Sequence, residues 1–193
     1  NKEIQENFKR FISVMKNTEI EFHVFKKIKK GHVTKMWNEL FKKAYDENYD
    51  YFFQCGDDIK FITKGWVNEC INILQKNNNI GITGPINNNN RILTQSFVSR
   101  KHMEIFGFYF PEEILNWCCD DWINFVYKPK YFYPAINKYC LNLGGKPRYK
   151  INNNYSFMNN YQQNVYNLRK ECSEIVKKHK EILNEKIKLF STN

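Results

Sequence analysis

The sequence predicts an α/β domain: an open mixed sheet flanked by helices, followed by one long C-terminal helix. Three observations carry this. Strand-like and helix-like stretches alternate along most of the 193 residues. Aromatic residues make up 17% of the chain, including 16 Phe and 12 Tyr, enough for the core of one sizeable domain. From about Tyr161 onward, Val165, Leu168, Cys172, Ile175, Val176, Ile182, Leu183, Ile187 and Phe190 recur at a period near 3.6, the pattern of an amphipathic helix that packs on a domain.

Taken in order, residues 2–16 carry apolar positions at helical spacing, and IEFHVF (20–25) reads as a strand. A basic turn follows. A second helical pattern runs over 34–47, with Met36, Trp37, Leu40, Phe41 and Ala44 on one face and Thr34 as N-cap. The aromatic run at 49–54 is a strand closed by Gly56 and two aspartates. Gly65 and Trp66 open a helix that the asparagines at 77–79 close. IGITGP (80–85) and ILTQSFVS (92–99) read as strands separated by an Asn-rich loop at 87–90. A helix at 101–106 ends at Gly107, a natural C′ residue. Pro111 is expected to open a short helix over PEEILNW, and Asp120 to start another that Pro129 stops. Strand-like segments lead to a glycine turn at 144–145. Residues 1–151 thus read as the domain, and 152–193 as a linker plus the terminal helix, which could also mediate a homodimer.

The net charge of +10 fits an anionic partner such as a nucleotide, a nucleic acid or a membrane surface, although the lysines are spread as on a solvated basic face. The six cysteines form no CxxC pair and no zinc spacing, so they read as small buried thiols in a reducing compartment, with a cytoplasmic location expected. No apolar run approaches the ~20 residues that span a bilayer.

The aspartates hold the chemical signal. There are only six, and four fall in adjacent pairs, Asp57-Asp58 and Asp120-Asp121. The first pair follows a strand and a glycine, which puts it at the rim of a sheet, where open α/β sheets bind ligands. Two short carboxylates there suit Mg²⁺ or Mn²⁺, hard cations that often carry a diphosphate. The second pair sits between Trp117 and Trp122, rings that suit either the face of a sugar or the core. A turn or a helix N-cap is the plainer role for either pair.

With KGW seven residues beyond the first pair, then a GP turn, FVSRKHMEIFG and the second pair among aromatics, residues 20–150 resemble a GT-A glycosyltransferase. The likeness is to the family 2-like group in the style found in large DNA viruses, which would place the protein in a host cytoplasm. The resemblance implies a metal-dependent, inverting transfer of sugar from a UDP- or GDP-sugar to a hydroxyl of a glycan, a protein or a small molecule. It puts the metal on Asp58 with Asp57 beside it. It makes Asp121 the general base with Asp120 next to it, and points to Arg100 and Arg148 as donor or acceptor contacts. Thr34, Trp37 and Asn38 would lie near the nucleotide.

Three departures from the family pattern stand out. Gly56 fills the first place of the metal motif, where an acidic residue near the ribose is usual. The late metal-binding histidine is missing, with Asn142 as its nearest substitute. The fold's first strand belongs before residue 2, so the chain is expected to be an N-terminally incomplete or shortened relative. A binding module that has lost the chemistry and a two-metal nuclease are the alternative readings.

Overall fold

The computed structural model describes residue 6 and residues 18–89, 91–144 and 161–191. Its elements are α1 (Val33–Asp46), β1 (Tyr51–Gln54), β2 (Ile59–Phe61), α2 (Trp66–Lys76), β3 (Ile82–Ile86), β4 (Ser96–Ser99), α3 (Lys101–Phe106), α4 (Cys119–Tyr127), β5 (Phe132–Asn142) and α5 (Tyr161–Ser191). The strands form one mixed sheet in the order β1-β4-β3-β5-β2. β3 and β5 are parallel, and the other neighbours are antiparallel.

The two-residue period of the strands separates two cores. Phe52, Ile82 and Val98 enter the larger one with Phe41, Tyr109, Trp122 and Val126. Phe53 and Phe97, their chain neighbours, face the other way and pack with Cys70, Leu74 and Trp66 of α2. The sheet is therefore covered on both faces, as a mixed α/β layer requires. Burying each such ring or aliphatic chain contributes about 1.5–3 kcal/mol relative to exposure. Phe41 stacks on Tyr109 at 3.6 Å between centroids, joining α1 to the segment after α3.

α5 lies on the domain, as its period predicts. Leu168, Cys172, Val176 and Leu183 are buried, three of them in the larger core. His179 on the same face accepts the indole N–H of Trp122 at 3.0 Å.

Several expectations are corrected. Residues 20–25 form no strand; Phe22 and Val24 are exposed, and the stretch has no neighbouring strand among the described residues. A lone extended segment has no ladder to hold it. PEEILNW forms turns rather than a helix. There Asn116 takes the Trp117 N–H with its side-chain oxygen and donates to the Gly31 carbonyl, in competition with helical bonding. α1 begins one residue before Thr34, whose hydroxyl donates to the Leu115 carbonyl instead of capping. The strand expected at 92–99 begins only at Ser96, and IKF after the first acidic pair is a strand that the sequence reading missed. The expected helix at 2–16 (apart from Glu6) and the linker at 152–154 lie outside the described residues.

Candidate active site at the carboxyl end of the sheet

β4 runs antiparallel to both β1 and β3, and β5 runs parallel to β3, so β1, β3 and β5 all point to one edge. Cys55 to Asp58 leave β1 there, Asn87 leaves β3, and Asn142 ends β5. This edge is the expected ligand-binding rim of an open sheet.

The first acidic pair is built into the backbone. Ile59 of β2 pairs with Asn142 of β5, and the Leu143 N–H donates to the Asp58 carbonyl at 2.8 Å. The Asp58 carboxylate then folds between two glycines. A Cβ added at Gly56 would stand 2.6 Å from Asp58 Oδ1. One added at Gly144 would stand closer than 3.0 Å to Asp58 Oδ2 and 2.6 Å from Asn142 Oδ1. This supplies a physical reason for Gly56: any larger residue would collide with Asp58 as it is placed. It also brings Asn142, the expected substitute for the missing histidine, to the carboxylate. Asn142 Oδ1 already accepts the Gly144 N–H at 2.7 Å. Asp57 is exposed beside them.

The second pair occupies the first turn of α4, and neither aspartate caps it through its side chain. The two carboxyls diverge. Asp120 lies near Tyr109, whose hydroxyl donates to the Ser96 carbonyl at the same sheet edge, at 2.9 Å. Burial pushes the Asp120 carboxyl up to about 7, the Asp121 charge adds to this, and the Cys119 thiol, donating to Oδ1 at 3.6 Å, opposes it. Asp121 turns the other way. It accepts an ion-paired bond from Arg91 Nη1 at 2.7 Å and lines an open cavity of about 410 Å³ between α4 and α5. Arg91, Cys118, Phe125, Arg169 and Cys172 share that cavity.

The loop at 87–95 ties the two pairs together. At one end the Asn142 N–H donates to Asn88 Oδ1 at 3.5 Å. At the other, Arg91 holds Asp121, and Asn124 of α4 clamps Leu93 by accepting its N–H at 2.8 Å and donating to its carbonyl at 2.7 Å. Asn124 also donates to the Asp120 carbonyl at 2.8 Å, so one side chain fixes both the loop and the start of α4. Arg91, Asn88, Asn124 and Gly144 were not singled out from the sequence. The sequence marks 87–90 only as a loop, although so polar a segment between two strands is itself a signal.

The other candidates fall elsewhere. Trp122 is wholly buried and bonded to His179, which leaves it a core residue unable to stack on a sugar. Trp117, just before α4, is partly exposed. Arg100 is a correction: it follows β4 at the opposite edge of the sheet, where it donates to the Tyr49 carbonyl at 3.0 Å and lies over the Tyr45 ring. Asn38 is another, since it is buried and binds the backbone of Tyr109 and Phe110 through three hydrogen bonds. Thr34 is buried and Trp37 packs on the larger core. Arg148 lies outside the described residues. His102 is structural, bonded to the Tyr127 hydroxyl and the Tyr109 carbonyl, and burial pushes it down to about 4.

Asp58 and Asn142 offer two convergent oxygens for a hard cation. Among the described residues no group of three or more His, Cys, Asp or Glu side chains could hold a metal ion by itself. Mg²⁺ is commonly held by one or two protein oxygens, with waters and substrate phosphates filling the rest. No described helix is long and apolar enough to cross a membrane. No protein-family model, curated protein or solved structure matches the chain.

Proposed function

We propose that this chain is a glycosyltransferase domain of GT-A type that takes sugar from a UDP- or GDP-sugar to a hydroxyl acceptor with inversion, using Mn²⁺ or Mg²⁺. The observation that supports it is the gathering of both acidic pairs at one sheet edge, joined by the loop at 87–95. Asp58 and Asn142 would hold the cation, with Asp57 beside them. The bound cation would neutralise the leaving diphosphate.

The chain's own residues do the rest. Asp121, open to the cavity, accepts the acceptor proton as general base, and Arg91 orients its carboxylate. Burial raises the Asp120 carboxyl to about 7, and its side chain turns away from the cavity that Asp121 lines. Trp117, partly exposed, offers a ring to a sugar face.

Asp121→Asn should lower kcat for sugar transfer by about a hundredfold or more while leaving donor affinity unchanged. Asp58→Asn should instead abolish Mn²⁺-dependent nucleotide binding, measured by calorimetry. Full activity in Asp121→Asn would refute the base, and unchanged Mn²⁺ and nucleotide affinity in Asp58→Asn would refute the metal site. The second reading, a module that binds but does not transfer, is favoured by Gly56, which removes the acidic ribose contact. It predicts Mn²⁺-dependent UDP or GDP binding with no turnover.

A further inference from the structure

Cys118 and Cys172 meet at the wall of the cavity between α4 and α5. Cys118 sits in a left-handed backbone conformation, φ 71°, just ahead of α4, and Cys172 Sγ donates to its carbonyl at 3.7 Å. Both thiols are free, Cys172 is buried and Cys118 is partly exposed to the cavity. Arg91 and Arg169 line the same cavity. The neighbouring Cys172 thiol holds the Cys118 thiol below its ordinary value; Arg169 and Arg91 assist, against burial and the Asp121 charge. Cys172 is correspondingly pushed up. A partly exposed thiol, a buried partner thiol and two guanidinium groups thus line one cavity, which is the arrangement of a redox-sensitive pair. The other four cysteines lack it: Cys55, Cys70, Cys119 and Cys140 are all pushed up, chiefly by burial.

We propose that Cys118 is a thiol–disulfide exchange site for small anionic disulfides, resolved by Cys172 into a Cys118–Cys172 disulfide that fastens α5 to the start of α4. The Cys118 thiolate attacks one sulfur of the incoming disulfide; that S–S bond breaks, and one thiolate leaves and takes a proton. Cys172 then gives up its proton to solvent and attacks Cys118 Sγ, releasing the second thiolate. The two protein thiols are oxidised by two electrons, and the small disulfide is reduced to two thiols. Arg169 and Arg91, the latter shared with Asp121, outnumber the one carboxylate of the cavity lining and so favour negative charge there. This site shares its cavity with Asp121, but the exchange does not require Asp121 to act as a base.

The test treats the whole chain with oxidised glutathione and maps disulfides by mass spectrometry without reduction. The expected product is a Cys118–Cys172 cross-link, with Cys172→Ser trapping one glutathione on Cys118. Exchange with the neutral disulfide of 2-mercaptoethanol should be several-fold slower, and Arg169→Ala should narrow that difference. Far-ultraviolet circular dichroism of Cys172→Ser checks that the fold is kept, and Cys118→Ala gives a second route by removing the modification without a new polar group. Modification spread evenly over the six cysteines, or a Cys118 that stays free while others react, would overturn the proposal. Equal rates for the anionic and neutral disulfides would overturn the role of the arginines.

Discussion

The two acidic pairs lie at the same end of the sheet and are held by opposite means. Asp57-Asp58 is set by backbone: two strands and two glycines leave Asp58 one place to go, while Asp57 stays exposed. Asp120-Asp121 is set by side chains: Asn124 holds the start of the helix, the Cys119 thiol donates to Asp120, and Arg91 pairs with Asp121 at the cavity. The difference shows that identical dipeptides become different chemical tools through what surrounds them. An exposed pair on a turn suits a cation that arrives with a ligand. A divided pair raises one carboxyl by burial and leaves the other facing the cavity.

The largest test removes the side chain that supports the second pair. Asn124→Ala strands the buried Leu93 N–H and carbonyl and frees the Asp120 carbonyl. A loss of about 3 kcal/mol in urea unfolding is expected, since each buried group left unsatisfied costs roughly 1–3 kcal/mol. A loss below about 1 kcal/mol would mean that the loop at 87–95 holds itself and the two regions are independent.

The first pair breaks differently. Gly144 is exposed and its backbone is not left-handed, so alanine is locally tolerated there, but the added Cβ would displace the Asp58 and Asn142 oxygens. Gly144→Ala should weaken Mn²⁺ affinity about tenfold, or ~1.4 kcal/mol, with little change in melting temperature. Calorimetry with Mn²⁺ alone reads this. Unchanged affinity would show that Asp58 and Asn142 do not act together.

How far the sequence carried follows the same division. Elements set by local pattern were legible: the aromatic strand before Asp57, α2, the helix at 101–106 with its Gly107 stop, and the long helix packed through Cys172, Val176 and Leu183. Elements set by distant partners were not. The stretch at 20–25 has strand composition but, among the described residues, no strand beside it, and IKF is a strand only because β5 returns to it. At the site, the paired aspartates stood out because they are rare. Their supports did not, since one asparagine among many gives no sign that it will clamp Leu93, and Gly144 shows its purpose only once Asp58 is placed. Arg100 misled for the complementary reason: its neighbours in sequence fit a motif, while β4 carries it to the far edge.

A pH-dependent effect isolates Asp120 within the second pair. Unfolded, Asp120 titrates near its ordinary 3.8, whereas in the fold it titrates near 7. Between those values the folded state holds more protons, so this group's contribution is full below about 4 and is lost as pH rises through 7. His102 works the other way: it is held near 4 against an ordinary 6.5, so its contribution is present above 6.5 and lost as pH falls toward 4. The wild-type curve mixes both, but the difference from Asp120→Asn isolates Asp120. That difference in melting temperature should favour the wild type most at low pH and shrink by about ten degrees on rising to pH 7.5, on the scale of about 2–4 °C per kcal/mol for a chain of this size. A difference that does not vary with pH would place the proton elsewhere.

The smallest effect concerns the ion pair between Arg91 and Asp121. Arg91 is 50% exposed and Asp121 20%, so water screens their 2.7 Å contact, and such pairs contribute about 0–1 kcal/mol. Arg91→Ala should therefore leave unfolding free energy within about 1 kcal/mol of wild type. A double-mutant cycle with Asp121→Asn should give a coupling of the same small size, shrinking further in high salt, because solvent-exposed charges are screened. Its consequence lies in orientation rather than stability. If Arg91 aims the Asp121 carboxylate, Arg91→Ala should lower kcat with KM for the donor unchanged, while stability barely moves. A coupling well above 1 kcal/mol would instead make the pair a buried structural link, and Asp121 would then resemble Asp120 in how it is held.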